Sequence, residues 1–272
     1  MPYLRRALAG ALLLSTLLGV RAQDAKSDLV ATQEGELPII LSAPHGGMLP
    51  IPGVPERKGE GLAKGPSGFF TGRDTGTEEL TYQIAKAIEA KLGKKPYVVV
   101  ARFHRKFIDP NRPPEIAYES PQAKPVYDAY HGTLGRYCRD VQKAYGRGLL
   151  LDVHGQGTAA DTIFRGTQNG KTVALLTQRF GAKAQDGPQS LFGLLAERGC
   201  KVHPADGGRE QAGFTGGYIV KTYGSHEGHG IDAIQLEFGG DYRAKARQQD
   251  TAVKVADAIA AFAKLYLPGR PR

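Results

Sequence analysis

An α/β fold with helices on both faces of the sheet is the class this sequence predicts, and three observations point to it. Short apolar runs bounded by Gly and Pro alternate with segments of helical periodicity. Two of these runs end in histidine, in Pro44-His45-Gly46-Gly47 and Asp152-Val153-His154-Gly155, and a third ends in Gln235-Leu236-Glu237-Phe238. In open α/β sheets, ligands and catalytic groups collect at strand ends, so these two imidazoles and one carboxylate mark the candidate site.

Residues 29–32 and 37–42 read as strands. Residues 46–72 form a long loop rich in Gly, Pro and charge. A loop of that length inside a domain usually serves function, and its place directly after His45 predicts that it covers substrate. Residues 75–92 read as a helix, because Leu80, Ile84, Ile88 and Leu92 recur every fourth residue. Asp74 is expected to cap it and Gly93 to end it. A β-branched run over 97–101 predicts a buried strand, followed by an irregular polar block over 102–114. Tyr127, Tyr130, Leu134, Tyr137, Val141 and Tyr145 mark a second helix closed by Gly146. The strand over 149–153 leads to His154. Residues 162–165 and 173–176 suggest a hairpin across Gln168-Asn169-Gly170. A helix over 191–197, a short strand near Val202, a strand over 231–238 and a helix carrying Val255, Ile259, Phe262 and Tyr266 complete the alternation. With no repeat and no linker, one domain over about residues 28–268 is expected.

The first residues carry the pattern of a cleaved export leader. Arg5 and Arg6 precede an apolar stretch over 7–20, and Val20-Arg21-Ala22 ends in a small residue. The stretch is short for a membrane anchor, and no later segment is long and apolar enough to span a bilayer. A periplasmic or secreted address is therefore expected, with the chain starting near Gln23. Loss of residues 1–22 lowers the formal charge from +9 to +6, with 33 basic groups against 27 acidic. This surplus has neither a dense basic run nor an aromatic ladder, which argues against nucleic-acid binding and for a cleft that prefers anions. Cys138 and Cys200 are expected to be buried thiols or one structural disulfide. Neither belongs to a Cys-x-x-Cys metal pair.

A catalytic zinc site takes three protein ligands from imidazole nitrogen, thiolate or carboxylate oxygen and keeps a fourth position open. His45 and His154 supply two. Asp74 and Glu78, one helical turn apart, are both candidates for the third. Glu237 closes a strongly apolar strand, where an acid is costly unless paired or used, and its expected role is general base. In the block Arg102 to Pro114, Arg105, Asn111 and Arg112 are candidates for gripping a substrate carboxylate through the planar guanidinium fork. Asp109 is expected to orient Arg105 or Arg112. The Gly-interleaved His226, Glu227 and His229 read as a flexible loop, not as metal ligands.

Pro44-His45-Gly46-Gly47, Arg73-Asp74 with Glu78 and Leu80, Ile108-Asp109-Pro110-Asn111-Arg112-Pro113, Asp152-Val153-His154-Gly155 and Ile234-Gln235-Leu236-Glu237 together resemble, in the same order, the N-formylglutamate amidohydrolase family. The resemblance extends over about residues 38–265. It implies a relationship to zinc carboxypeptidases and aspartoacylase-like deacylases, with a three-layer α/β/α fold and a mixed central sheet. It also implies one zinc ion on His45, His154 and either Asp74 or Glu78, Glu237 as base, and an Asn111-Arg112 grip on a carboxylate. Met48 stands where carboxypeptidases place the Glu of His-x-x-Glu. The expectation is an exported zinc amidohydrolase acting on a carboxylate-bearing small molecule or peptide, such as an N-acyl (N-formyl) amino acid. A zinc carboxypeptidase, a peptidoglycan amidase and a non-catalytic secreted binding protein are the alternatives.

Overall fold

The computed structural model describes residues 28–60, 69–205, 207–227 and 230–269, so the leader over 1–22 lies outside the described residues. The strands are β1 (Val30–Gln33), β2 (Ile39–Ala43), β3 (Tyr97–Ala101), β4 (Gly148–Gly155), β5 (Ile163–Gly166), β6 (Val202–His203) and β7 (Ile231–Phe238). They form one sheet in the order β1-β3-β2-β4-β7-β5-β6. β3, β2, β4 and β7 run parallel, while β1 and β5 pair antiparallel with β3 and β7. The principal helices are α1 (Thr77–Leu92), α2 (Lys124–Tyr145), α3 (Leu191–Glu197), α4 (Tyr218–Tyr223) and α5 (Gln248–Tyr266).

Alternation along the strands separates two cores. Ile39, Leu41, Leu149, Leu151, Ile234 and Leu236 pack beneath α1, α3 and α5 with Leu80, Ile84, Leu195, Ile259 and Phe262. Ile40, Val99, Leu150 and Ala233 point the other way, against Tyr130, Leu134, Tyr137 and Val141 of α2 and Ile219 of α4. The expected three-layer α/β/α architecture with a mixed sheet is therefore present. The central strands are apolar on both sides because both faces are covered.

From β2 the chain crosses to β3 on one side, then returns to β4 on the other side of β2. The reversal opens a crevice beyond the ends of β2 and β4, where ligands bind in open α/β sheets. His45 follows β2 and His154 lies in the last turn of the β4 pleat, so topology alone delivers both to this crevice.

Two local expectations are corrected. Asp74 does not cap α1. The cap position is Gly76, in a left-handed conformation (φ 85°), and the Asp74 side chain turns to the two histidines. The hairpin across Gln168-Asn169-Gly170 does not form. The turn is real, with φ of 52° and 53° at Gln168 and Asn169, but its N–H groups are taken by the buried Glu210 carboxylate, at 2.8 Å from both Thr167 N and Asn169 N. The chain then enters helix at Ala174–Phe180, and β5 finds its partners in β7 and β6. Both cysteines are free and buried. Cys138 is a buried residue of α2, and Cys200 lies in the core on the opposite face of the sheet.

Candidate active site

Pleat and register write the floor of the site. Ser42, Asp152 and Gln235 occupy adjacent register positions on β2, β4 and β7, and His154 lies beside Glu237 one step further along. By alternation all five share the face that α2 and α4 cover. Asp152-x-His154 and Gln235-x-Glu237 are the same device: residues two apart on a strand project side by side.

His45 is brought in by the turn after β2. Gly46 permits this, because a Cβ there would lie 2.4 Å from Glu78 N and 2.7 Å from Thr77 Oγ1, so α1 approaches only over a bare backbone. Asp74 N donates to His45 O (2.9 Å), which ties the acid's loop to the histidine's turn.

The result is a buried triangle of donor atoms. His45 Nδ1 and His154 Nδ1 stand 3.2 Å apart. Asp74 Oδ2 lies 3.4 Å from the first and 3.3 Å from the second. Behind each imidazole sits a carboxylate: Asp109 Oδ1 accepts from His45 Nε2 at 2.7 Å, and Asp152 Oδ2 accepts from His154 Nε2 at 2.8 Å. With Nε2 protonated toward a carboxylate, each Nδ1 of a neutral ring is left with its lone pair facing the other. Three ligands about 2.0–2.1 Å from one zinc ion at tetrahedral angles stand roughly 3.3 Å apart, so the donor set fits a metal ion in spacing, chemistry and outer support. Among the described residues, His45, Asp74 and His154 are the group able to hold one.

Glu78 is not brought to this centre. It lies in the first turn of α1, with Oε1 3.6 Å from Arg102 Nε and accepting from Tyr82 OH at 3.3 Å. Burial and the neighbouring Glu79 charge raise its pKa.

The electrostatics follow from burial among opposing charges. Burial pushes the Asp74 carboxyl up, but hydrogen bonds from His154 and His45 outweigh it and hold the group far below the usual range. Burial alone would lower His154, yet the Asp152 and Asp74 carboxylates raise it well above an ordinary imidazole. Glu237 is pushed up to about 8 by burial, against the pull of His154 and with the added push of the Asp74 and Asp152 charges. Gln235 Nε2 donates to Glu237 Oε1 at 2.7 Å and fixes its rotamer.

These groups line a cavity of about 320 Å³ together with Arg105, Asn111, Arg112, Phe70 and Phe214. Asp109 Oδ2 accepts from Arg105 Nε (2.9 Å) and Nη2 (2.7 Å), and Arg105 Nη1 lies 3.9 Å from Asp74 Oδ1. The expected Asp109–Arg105 pairing is thus present, and Asp109 also bridges to His45. The Asn111 side chain is tied into the scaffold: Oδ1 accepts from Ile219 N (2.9 Å) and Nδ2 donates to Gln235 Oε1 (3.3 Å). Arg112 O accepts from Tyr127 OH (2.8 Å) and Pro110 O from His131 Nε2 (2.9 Å), so α2 braces the loop that presents Arg112 to the cavity. Phe70, from the end of the long loop, stacks on Arg105 with 5.0 Å between guanidinium carbon and ring centre. Among the described residues His226 pairs with its neighbour Glu227 at 3.4 Å, and His229 lies outside the described residues.

Comparison with solved structures agrees with this architecture. A crystal structure of N-formylglutamate amidohydrolase from Ralstonia eutropha JMP134 matches with a TM-score of 0.56 and 16% identity, covering 87% of this chain and 98% of that one. This chain shares its fold. A gene product of Agrobacterium tumefaciens matches with a TM-score of 0.59 and 14% identity, covering 89% of this chain and 98% of that one. No family model and no curated protein matches the sequence.

Sequence reading missed the roles of Asp152, Gln235 and Arg243. The first two were within reach, since each stands two residues before a candidate on a strand and so shares its face.

Proposed function

We propose that the chain is a zinc-dependent amidohydrolase that cleaves the C–N bond of a carboxylate-bearing substrate, an N-acyl amino acid or a small peptide, after export to the periplasm or beyond. The observation that carries this reading is the triangle of His45, His154 and Asp74 with edges of 3.2, 3.3 and 3.4 Å, next to a buried Glu237. Likeness of fold to an N-formylglutamate amidohydrolase supports it.

In this reading His45, His154 and Asp74 hold one zinc ion, which when bound polarises a carbonyl and acidifies a water. Glu237 takes the proton of the attacking water and delivers it to the leaving nitrogen as the new C–O bond replaces C–N. Arg105, beside Asp74, favours negative charge developing on the carbonyl oxygen. Arg112 receives the substrate carboxylate, with the Asn111 amide holding the loop behind it.

The test is hydrolysis of a panel of formyl-, acetyl- and succinyl-amino acids, their amides lacking a free carboxylate, and short peptides and muropeptides. The proposal expects turnover that a chelator abolishes and zinc restores, a strong preference for the free carboxylate, and a raised KM in Arg112→Ala. Absence of chelator-sensitive turnover across the panel would contradict it.

A further inference from the structure

Arg243 is the last residue of the short helix Gly240–Arg243, outside the cavity lining, yet its guanidinium reaches under the floor of the site. Nε donates to Phe238 O at 2.9 Å, Nη2 donates to Gln156 O at 3.1 Å, and Nη1 donates to Thr75 O. Phe238 follows Glu237, Thr75 follows Asp74, and Gln156 stands two residues after His154. One side chain therefore bonds a carbonyl within two residues of each of three site residues, on three separate segments.

We propose that Arg243 is a positioning residue that sets the distance of Asp74 from the strand ends carrying His154 and Glu237. This rests on the reading of His45, His154 and Asp74 as metal ligands. The β4–β7 ladder already fixes His154 beside Glu237. Asp74 sits on a loop that no ladder holds. The planar fork of a guanidinium suits the task, since its N–H groups diverge at fixed angles toward separate acceptors. Its charge also acts favourably on the Asp74 and Glu237 carboxylates.

The arrangement explains the glycine after His154. A Cβ on Gly155 would lie 2.7 Å from both Arg243 Cζ and Nε. Gly155 is thus bare so that the guanidinium can pass beneath it, and Gly155 N is left to donate to Asp74 Oδ2 at 3.0 Å. The Arg243 backbone joins in: its carbonyl accepts from Gln248 Nε2 (2.9 Å), which also donates to Gly76 O (3.3 Å) at the start of α1.

The experiment is a double-mutant cycle on zinc affinity, read by competition with a chromogenic chelator in the full-length mature protein, using Arg243→Lys, Gly155→Ala, Arg243→Ala and the Arg243→Ala/Gly155→Ala pair. Arg243→Lys keeps charge but gathers its three donors on one nitrogen, which cannot span three carbonyls now reached from Nε, Nη1 and Nη2, and it is expected to weaken zinc about 10- to 100-fold, the usual loss for an outer-shell partner. Gly155→Ala is expected to weaken zinc similarly in the presence of Arg243 and to add nothing in its absence, because the obstructing atoms are gone. Millimolar ethylguanidinium should recover part of the affinity of Arg243→Ala. Wild-type zinc affinity in folded Arg243→Lys, or additive losses in the cycle, would overturn the proposal. So would lowered thermal stability with unchanged affinity. If the wild-type protein binds no zinc, the metal-site reading has failed instead, which distinguishes the two.

Discussion

Asp109 holds His45 and Arg105 at once: Oδ1 accepts from the imidazole at 2.7 Å, while Oδ2 accepts from the guanidinium at 2.7 and 2.9 Å. Burial works against this carboxylate, but the charges of Arg105 and His45 keep it ionised well below the ordinary range. An imidazole of the donor triangle and a guanidinium of the cavity wall therefore take their orientation from one acid.

Asp109→Asn tests that arrangement. The amide can still accept on one side, but it no longer offers two anionic oxygens. Zinc affinity is expected to drop about 10- to 100-fold, and kcat for a carboxylate substrate to fall together with it as Arg105 loses its clamp. A chelator competition and a substrate titration on the same preparation measure both. A fall in kcat with unchanged zinc affinity would contradict the shared role of Asp109.

Metal uptake should release protons. His154 is raised well above its ordinary pKa by Asp152 and Asp74 in the metal-free protein, so at neutral pH its ring carries a proton that a metal must displace. Zinc affinity is therefore expected to rise with pH. Calorimetry in buffers of different ionisation enthalpy should report net proton release on metal binding near pH 7. Affinity independent of pH between 6 and 8 would refute this.

Glu237→Gln preserves shape and the contact with Gln235 but removes the proton acceptor. Turnover is expected to fall about 10²- to 10⁴-fold with metal content unchanged. Loss of metal in this variant would make Glu237 a ligand and not the base.

His131 supplies a stability prediction away from the metal. Burial lowers its pKa to about 4, below an unfolded value near 6.5. The folded state thus resists protonation there. The neutral ring's contribution is complete above about pH 6.5 and is lost as pH falls toward about 4, up to about 3 kcal/mol. Denaturant unfolding of the chelator-treated protein should show this slope, and His131→Gln should flatten it. Parallel pH profiles for the two proteins would contradict the assignment.

The strand-end groups were legible because a period of two and an apolar run place a side chain at a strand terminus without any tertiary information. Leu191–Glu197 was expected as a helix and Ile231–Phe238 as a strand, and both are found at those residues. The choice between Asp74 and Glu78 was not legible. Both flank the same helix start, and the direction of each side chain depends on the left-handed Gly76, which ends the loop before α1 and leaves Asp74 outside the helix. The false hairpin had a correct turn, but Glu210, some forty residues later, takes the N–H groups of that turn. Arg243 was invisible for the same reason: its three acceptors come from segments far apart in sequence.

The most direct test of the account is the metal content of the purified mature protein beside His45→Ala, Asp74→Ala, His154→Ala and Glu78→Ala. The account predicts one zinc ion per wild-type chain, loss of it in the first three variants and retention in Glu78→Ala. Zinc lost from Glu78→Ala but kept in Asp74→Ala, or absent from the wild-type protein after reconstitution, would contradict it.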